Sequence, residues 1–121
     1  MALRDTMRES VTTYLNPGEE VQAVIGAQTQ SQYLMLAGFL LFFIFNHYRI
    51  LAVTPQRILV LDAGKTSAKK ARGVVTELPR STRLGPGSGV WHVIPVGNEK
   101  LHVHRIFFKD LQTADSALDQ A

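Results

Sequence analysis

The stretch Tyr48–Leu61, YRILAVTPQRILVL, constrains the fold more than any other. Two short apolar runs rich in Ile, Leu and Val flank Thr54-Pro55-Gln56-Arg57. Proline presets φ near the value wanted at the second position of a tight turn. Runs of this length with β-branched residues, broken by such a turn, predict a β-hairpin. With Thr54 facing Arg57, Val53 pairs with Ile58, Ala52 with Leu59, Leu51 with Val60 and Ile50 with Leu61. Both faces of the ribbon are then apolar. A strand pair wetted on one side alternates with polar residues, so the second face of this one needs a cover.

A chain of 121 residues with 45% hydrophobic and 19% charged residues has the size and apolar content of one packed domain. It has no cysteine, which excludes disulfides, thiolate metal sites and cysteine nucleophiles. The N-terminal MALRDTMRES places charges where a signal peptide needs its apolar core, so the expected location is cytoplasmic. A net charge of +3 falls well short of the dense basic stripe of a nucleic-acid binder, and no nucleic-acid partner is expected.

Along the chain, Leu3, Met7, Val11 and Tyr14 share one helix face, and Asn16-Pro17-Gly18 ends that helix. A first strand follows around Val21–Ile25. After the central hairpin, Asp62–Gly73 is polar, bounded by glycine and basic, and reads as a mobile loop. Gly73–Leu78 reads as a strand that Pro79 ends or marks as an edge. Thr82–Leu84 reads as a short strand before the Gly85-Pro86-Gly87-Ser88-Gly89 loop. Val90–Val96 and Lys100–Phe107 form a second hairpin. A three-residue Gly97-Asn98-Glu99 loop puts Trp91, Val93, Leu101 and Val103 on one face and is the expected register. A two-residue Gly97-Asn98 turn slips the pairing by one and moves His92 across the sheet. Phe107, Leu111, Ala114 and Leu118 recur at helical spacing and close the chain.

The fold expected is therefore α+β, mainly β: a strongly bent antiparallel sheet or partly open barrel. An N-terminal helix (about 3–15), a barrel (about 20–107) and a C-terminal capping helix (about 108–119) make one domain.

Tyr33–Phe45, YLMLAGFLLFFIF, is the outlier, with four of the six phenylalanines and no charge. As a helix it spans about 20 Å, against roughly 30 Å for a bilayer core. Extending it takes in Asn46, His47 and Arg49, each costly at membrane depth. It is expected to be a buried or interfacial segment, and it is the natural cover for the second face of the central hairpin.

Leu15-Asn16-Pro17-Gly18-Glu19 and Ala52–Leu61 resemble the bacterial pleckstrin-homology-like domains, in which a "PGE" precedes the first strand and "VT-x-x-R" turns between two strands. Glu77–Arg80, Arg83–Pro86 and Val103–Asp110 look like the later part of an actinobacterial subgroup. The resemblance covers roughly residues 15–118 and implies a seven-stranded bent barrel closed by a C-terminal helix. The length of the Tyr33–Phe45 run departs from that pattern.

Chemistry-bearing patterns are few. Gly64-Lys65-Thr66 ends like a phosphate-binding loop, but Leu59 stands where the motif needs its other glycine. His92, His102 and His104 sit close in sequence without a spaced carboxylate, so they read as structural and no metal is expected. No nucleophile, base and orienter assemble, so neither catalysis nor a cofactor is expected. The functional expectation is a binding module. Tyr33, Phe39, Phe42, Phe43 and Phe45 are the candidate membrane or partner contacts. Lys65, Lys69, Lys70 and Arg72 are the candidate anion contacts, with Arg80 and Arg83 nearby in sequence. One reading docks these on anionic lipid head groups at the inner face of the membrane. The other uses the apolar run as a protein interface or for homo-oligomerisation.

Overall fold

The computed structural model describes residues 2–30, 38–65 and 67–119. Helix α1 (Ala2–Val11) and a 3₁₀ turn (Thr12–Tyr14) lead into β1 (Ala23–Gln28). A short helix, α2 (Phe39–Phe45), precedes β2 (Tyr48–Val53), β3 (Arg57–Gly64) and β4 (Gly73–Pro79). The hairpin of β5 (Trp91–Val96) and β6 (Glu99–His104) then runs through a 3₁₀ turn (Arg105–Phe107) into α3 (Phe108–Asp119). The class is α+β, mainly β. The strands form one antiparallel sheet, ordered β4-β3-β2-β1-β6-β5, that curls into a half-barrel.

The central hairpin has the register its apolar pattern demands: Val53 opposite Ile58, Ala52 opposite Leu59, Leu51 opposite Val60 and Ile50 opposite Leu61. Thr54 N–H donates to the Arg57 carbonyl at 3.0 Å, and Thr54 Oγ1 accepts from the Gln56 and Arg57 amides. Every residue of Ile50–Val53 and Ile58–Leu61 is buried, so both faces are covered. Each such aliphatic side chain contributes about 1.5–3 kcal/mol by leaving water. β1 continues the ladder, with Ala23 opposite Val53 and Ile25 opposite Leu51.

Residues 33–37 of the Phe-rich run expected to cover the second face lie outside the described residues, and of Phe39–Phe45 Phe42 alone is buried. On the face that carries Gly26, a Cβ would meet the Phe107 ring at 2.9 Å and the Ala68 Cβ at 3.2 Å. The cover there is therefore Phe107 together with the 67–72 loop. That loop is also pinned, because Ser10 Oγ of α1 accepts from the Ala71 amide at 3.0 Å and the Asp62 carbonyl accepts from Arg72 N–H at 2.7 Å. Ala68 and Ala71 pack against the core, so the loop read as mobile is a structural cover. Met7 and Val11 of α1 and Leu111 and Ala114 of α3 are fully buried on their expected faces.

Two further expectations are corrected. Thr82–Leu84 is not a strand: Leu84 is buried, and its amide and that of Gly85 donate to the Asp115 carboxylate of α3 at 2.9 and 3.0 Å. Among the described residues the sheet has six strands, where the resemblance implied seven. The second hairpin takes the two-residue turn, pairing Val96 with Glu99, Ile94 with Leu101 and His92 with Val103. Gly97 has φ of +57°, the left-handed conformation that a tight hairpin turn places at its first central residue. Ile94, Val96, Leu101 and Val103 are consequently the buried set, whereas Val93 is exposed.

Candidate functional site

The strand register gathers three loops at one end of the half-barrel. β1 ends there, β2 begins there, β3 passes into β4 there, and the Gly97-Asn98 turn lies beyond the Gln28–His102 pair. The excursion between β1 and β2 is pinched at its base. Thr29 N–H donates to the His47 carbonyl at 2.9 Å, and Thr29 Oγ1 accepts from His47 N–H at 2.9 Å. Buried Asn46 accepts from the Gln30 amide through Oδ1 at 3.0 Å. These polar contacts use residues that would have been costly in a longer membrane span.

Above this base stands α2, FLLFFIF, seven residues with apolar side chains all round. Phe42 alone of these is buried, while Phe39 and Leu40 are 70% and 69% exposed. Leu41, Phe43, Ile44 and Phe45 are also exposed. Of the candidate contacts, Phe39, Phe43 and Phe45 are thus available at the surface, Phe42 anchors the helix inward, and Tyr33 lies outside the described residues. Leu40, Leu41 and Ile44 belong to the same surface. The sequence reading named only the aromatic residues, and a helix that is apolar on every side offers no periodicity to separate its inner from its outer positions.

Among the basic candidates, Lys65 joins the two groups. Its Nζ donates to the Ile44 carbonyl at 2.5 Å and lies 6.0 Å from the centroid of the Phe43 ring. The ammonium thereby satisfies one of the end carbonyls of α2, where a cation is favoured by the helix dipole. Lys69, Lys70 and Arg72 are exposed on the same loop, and the Arg72 guanidinium lies close to Gly64. Arg80 and Arg83 lie elsewhere. Arg80 donates to Gln22 Oε1 and the Ala114 carbonyl, and Arg83 pairs with Asp119.

Beneath Phe45, a cleft of about 430 Å³ is lined in part by Thr29, Gln30, His47, Lys100 and His102. Burial, helped by the nearby Lys100, pushes the His102 imidazole below its ordinary value. The three histidines do not converge. His102 and His104 share one side of β6, while the register puts His92 on the other, with Nε2 2.7 Å from the Leu84 carbonyl. Among the described residues no group of His, Asp or Glu is arranged to hold a metal ion.

The carboxylates serve the fold. Buried Arg49 bridges Asp62 at 2.7 Å and Glu99 at 2.9 Å across the sheet. Asp110 pairs with Arg4 at 2.8 Å, and Asp115 caps the Leu84–Gly85 backbone. At the opposite end of the half-barrel, Glu19 accepts from Thr54 Oγ1 at 2.7 Å, Arg57 Nε at 2.9 Å and Arg57 Nη2 at 3.0 Å. Those residues are the "PGE" glutamate and the "VT-x-x-R" threonine and arginine of the resemblance. The pairing with Arg57 holds the Glu19 carboxyl down at about 2. Arg57 is raised in turn by Glu19 and Glu77.

No protein-family model, curated protein or solved structure matches the chain. Among the described residues no helix is long and apolar enough to cross a membrane.

Proposed function

We propose that the chain is a non-enzymatic, pleckstrin-homology-like binding module that docks peripherally on an anionic membrane surface. The observation that carries this reading is the exposed helix α2 with Lys65 joined to its end. An apolar helix this short cannot span a bilayer, but Phe39, Leu40, Phe43 and Phe45 can enter the boundary between head groups and acyl chains. Lys65, Lys69, Lys70 and Arg72 then lie beside the inserted helix, at the level of the head groups. Each such cation near an anionic surface contributes about 1 kcal/mol, so insertion and attraction are needed together. The order of elements, the curled sheet and the meeting of Glu19 with Thr54 and Arg57 support the pleckstrin-homology-like assignment. The engagement of Asp62, Glu99, Asp110 and Asp115 in structural contacts favours binding over catalysis.

The test is co-sedimentation with anionic and with neutral vesicles at two salt concentrations, beside sedimentation velocity without lipid. Binding to anionic vesicles should weaken steeply with salt, because the Debye length falls from about 10 Å at 0.1 M to about 3 Å at 1 M. Lys69→Glu combined with Lys70→Glu should abolish it. A salt-resistant dimer that ignores vesicles overturns the proposal, since burial of phenylalanine does not depend on screening.

A further inference from the structure

Helix α2 is too short to hold itself together in water. Isolated helices of fewer than about 12 residues are marginal, and Phe39–Phe45 has seven. Its N-cap is Gly38, which supplies no side-chain acceptor for the first turn. Phe42 alone of its residues packs inward. Among the described residues, one side chain from another element hydrogen-bonds to the helix backbone: Lys65, whose Nζ donates to the Ile44 carbonyl at 2.5 Å. The same ammonium lies 6.0 Å from the Phe43 ring centroid, within cation–π range. It is delivered by a fixed arm. β3 ends at Gly64, whose φ of +87° turns the chain, and the loop beyond is tied at Ala71 by Ser10 and at Arg72 by Asp62.

The end of α2 that Lys65 reaches is its C-terminal end, where the last carbonyls leave partial negative charge. A phosphate drawn toward the basic loop would meet that charge. An ammonium seated on it offsets the repulsion and keeps two of its three N–H donors in hand. We infer that Lys65 is a positioning residue, holding α2 formed before any membrane is met. A surface already in its binding conformation has no ordering cost left to meet, and affinity rises with the fraction of molecules that hold it. The part of Lys65 in docking thus differs in kind from that of Lys69, whose exposed charge acts on head groups directly. That docking half rests on the membrane reading above, whereas the holding of α2 does not.

Backbone chemical shifts of Phe39–Phe45 in the free protein, beside co-sedimentation with anionic vesicles, test it. Lys65→Gln should lower the ratio of helix to coil in α2 by about two- to fivefold, the range for a cation at a helix end. The melting temperature should change little. Lys65→Arg restores a cationic donor and should keep the parent shifts, and Lys69→Gln should leave them as they are. Lys65→Gln and Lys69→Gln remove the same charge, yet Lys65→Gln should lose more vesicle binding, by up to that same factor. A helix population equal in Lys65→Gln and the parent overturns the inference. So do equal losses of vesicle binding in Lys65→Gln and Lys69→Gln, which make Lys65 one more surface charge. A parent that ignores vesicles removes the membrane reading instead, and the shifts alone then decide whether Lys65 holds α2.

Discussion

At the scale of single residues, the most consequential contact is the one that closes the β2–β3 end. Glu19 is a loop residue whose carboxylate is 2% exposed, and it is held by Arg57 Nε and Nη2, by Thr54 Oγ1 and by the Asn16 amide at 2.9 Å. A carboxylate with that many donors is stable only while they remain. Glu19→Gln leaves Arg57 facing a neutral amide, and a loss of about 2–4 kcal/mol in chemical denaturation is expected. The pH dependence follows from the carboxyl's depressed value. Unfolded, Glu19 titrates near 4.5; folded, near 2. Its contribution is present in full above 4.5 and fades as pH falls toward 2, because the unfolded chain binds the proton more readily. Stability of the parent should therefore fall more steeply than that of Glu19→Gln across this window. The sequence displayed Glu19, Thr54 and Arg57 as short motifs, but nothing in their spacing said that they touch.

At the scale of elements, the central hairpin was legible to the residue because the Thr54–Arg57 turn and two buried faces leave one register. The second hairpin was not. Its expected three-residue loop rested on grouping Trp91 and Val93 with Leu101 and Val103, which segregates the apolar residues of the sequence better. The inward position of His92 is made acceptable by its 2.7 Å contact with the Leu84 carbonyl, and its ring meets Phe108 edge-on at 6.4 Å. That partner comes from the irregular segment before β5, which local pattern could not locate. Likewise the cover over Gly26 is Phe107, remote in sequence, and only the fold reveals why β1 carries a glycine there. Gly26→Ala should cost about 1–3 kcal/mol, since its Cβ would lie 2.9 Å from the Phe107 ring. Phe107→Leu should be destabilising alone yet recover part of the loss in the double variant. Additive losses in a double-mutant cycle of thermal stabilities would contradict this packing.

At the scale of the whole molecule, the two ends of the half-barrel divide the work. The end at Thr54 is tied by ions and by α1, and the other end carries α2 with most of its apolar surface in water. The sequence marked Tyr33–Phe45 as exceptional without deciding between core and surface, because a run that is apolar on all sides satisfies both. Within α2, Phe42 turns inward and the other six residues lie at the surface. A division of this kind should separate stability from binding. Val53→Asp places an unpaired carboxylate at a fully buried position of the ladder, a cost of several kcal/mol against a small total, and should abolish cooperative melting. Phe39→Ser with Leu40→Ser removes two side chains that are each more than two-thirds exposed, so melting should shift little. If membrane insertion buries them, about 3 kcal/mol of transfer free energy is lost, and vesicle binding should weaken by roughly a hundredfold. Unchanged melting with lost binding assigns α2 to the partner. Lowered melting with unchanged binding assigns it to the core, and membrane docking through α2 then fails.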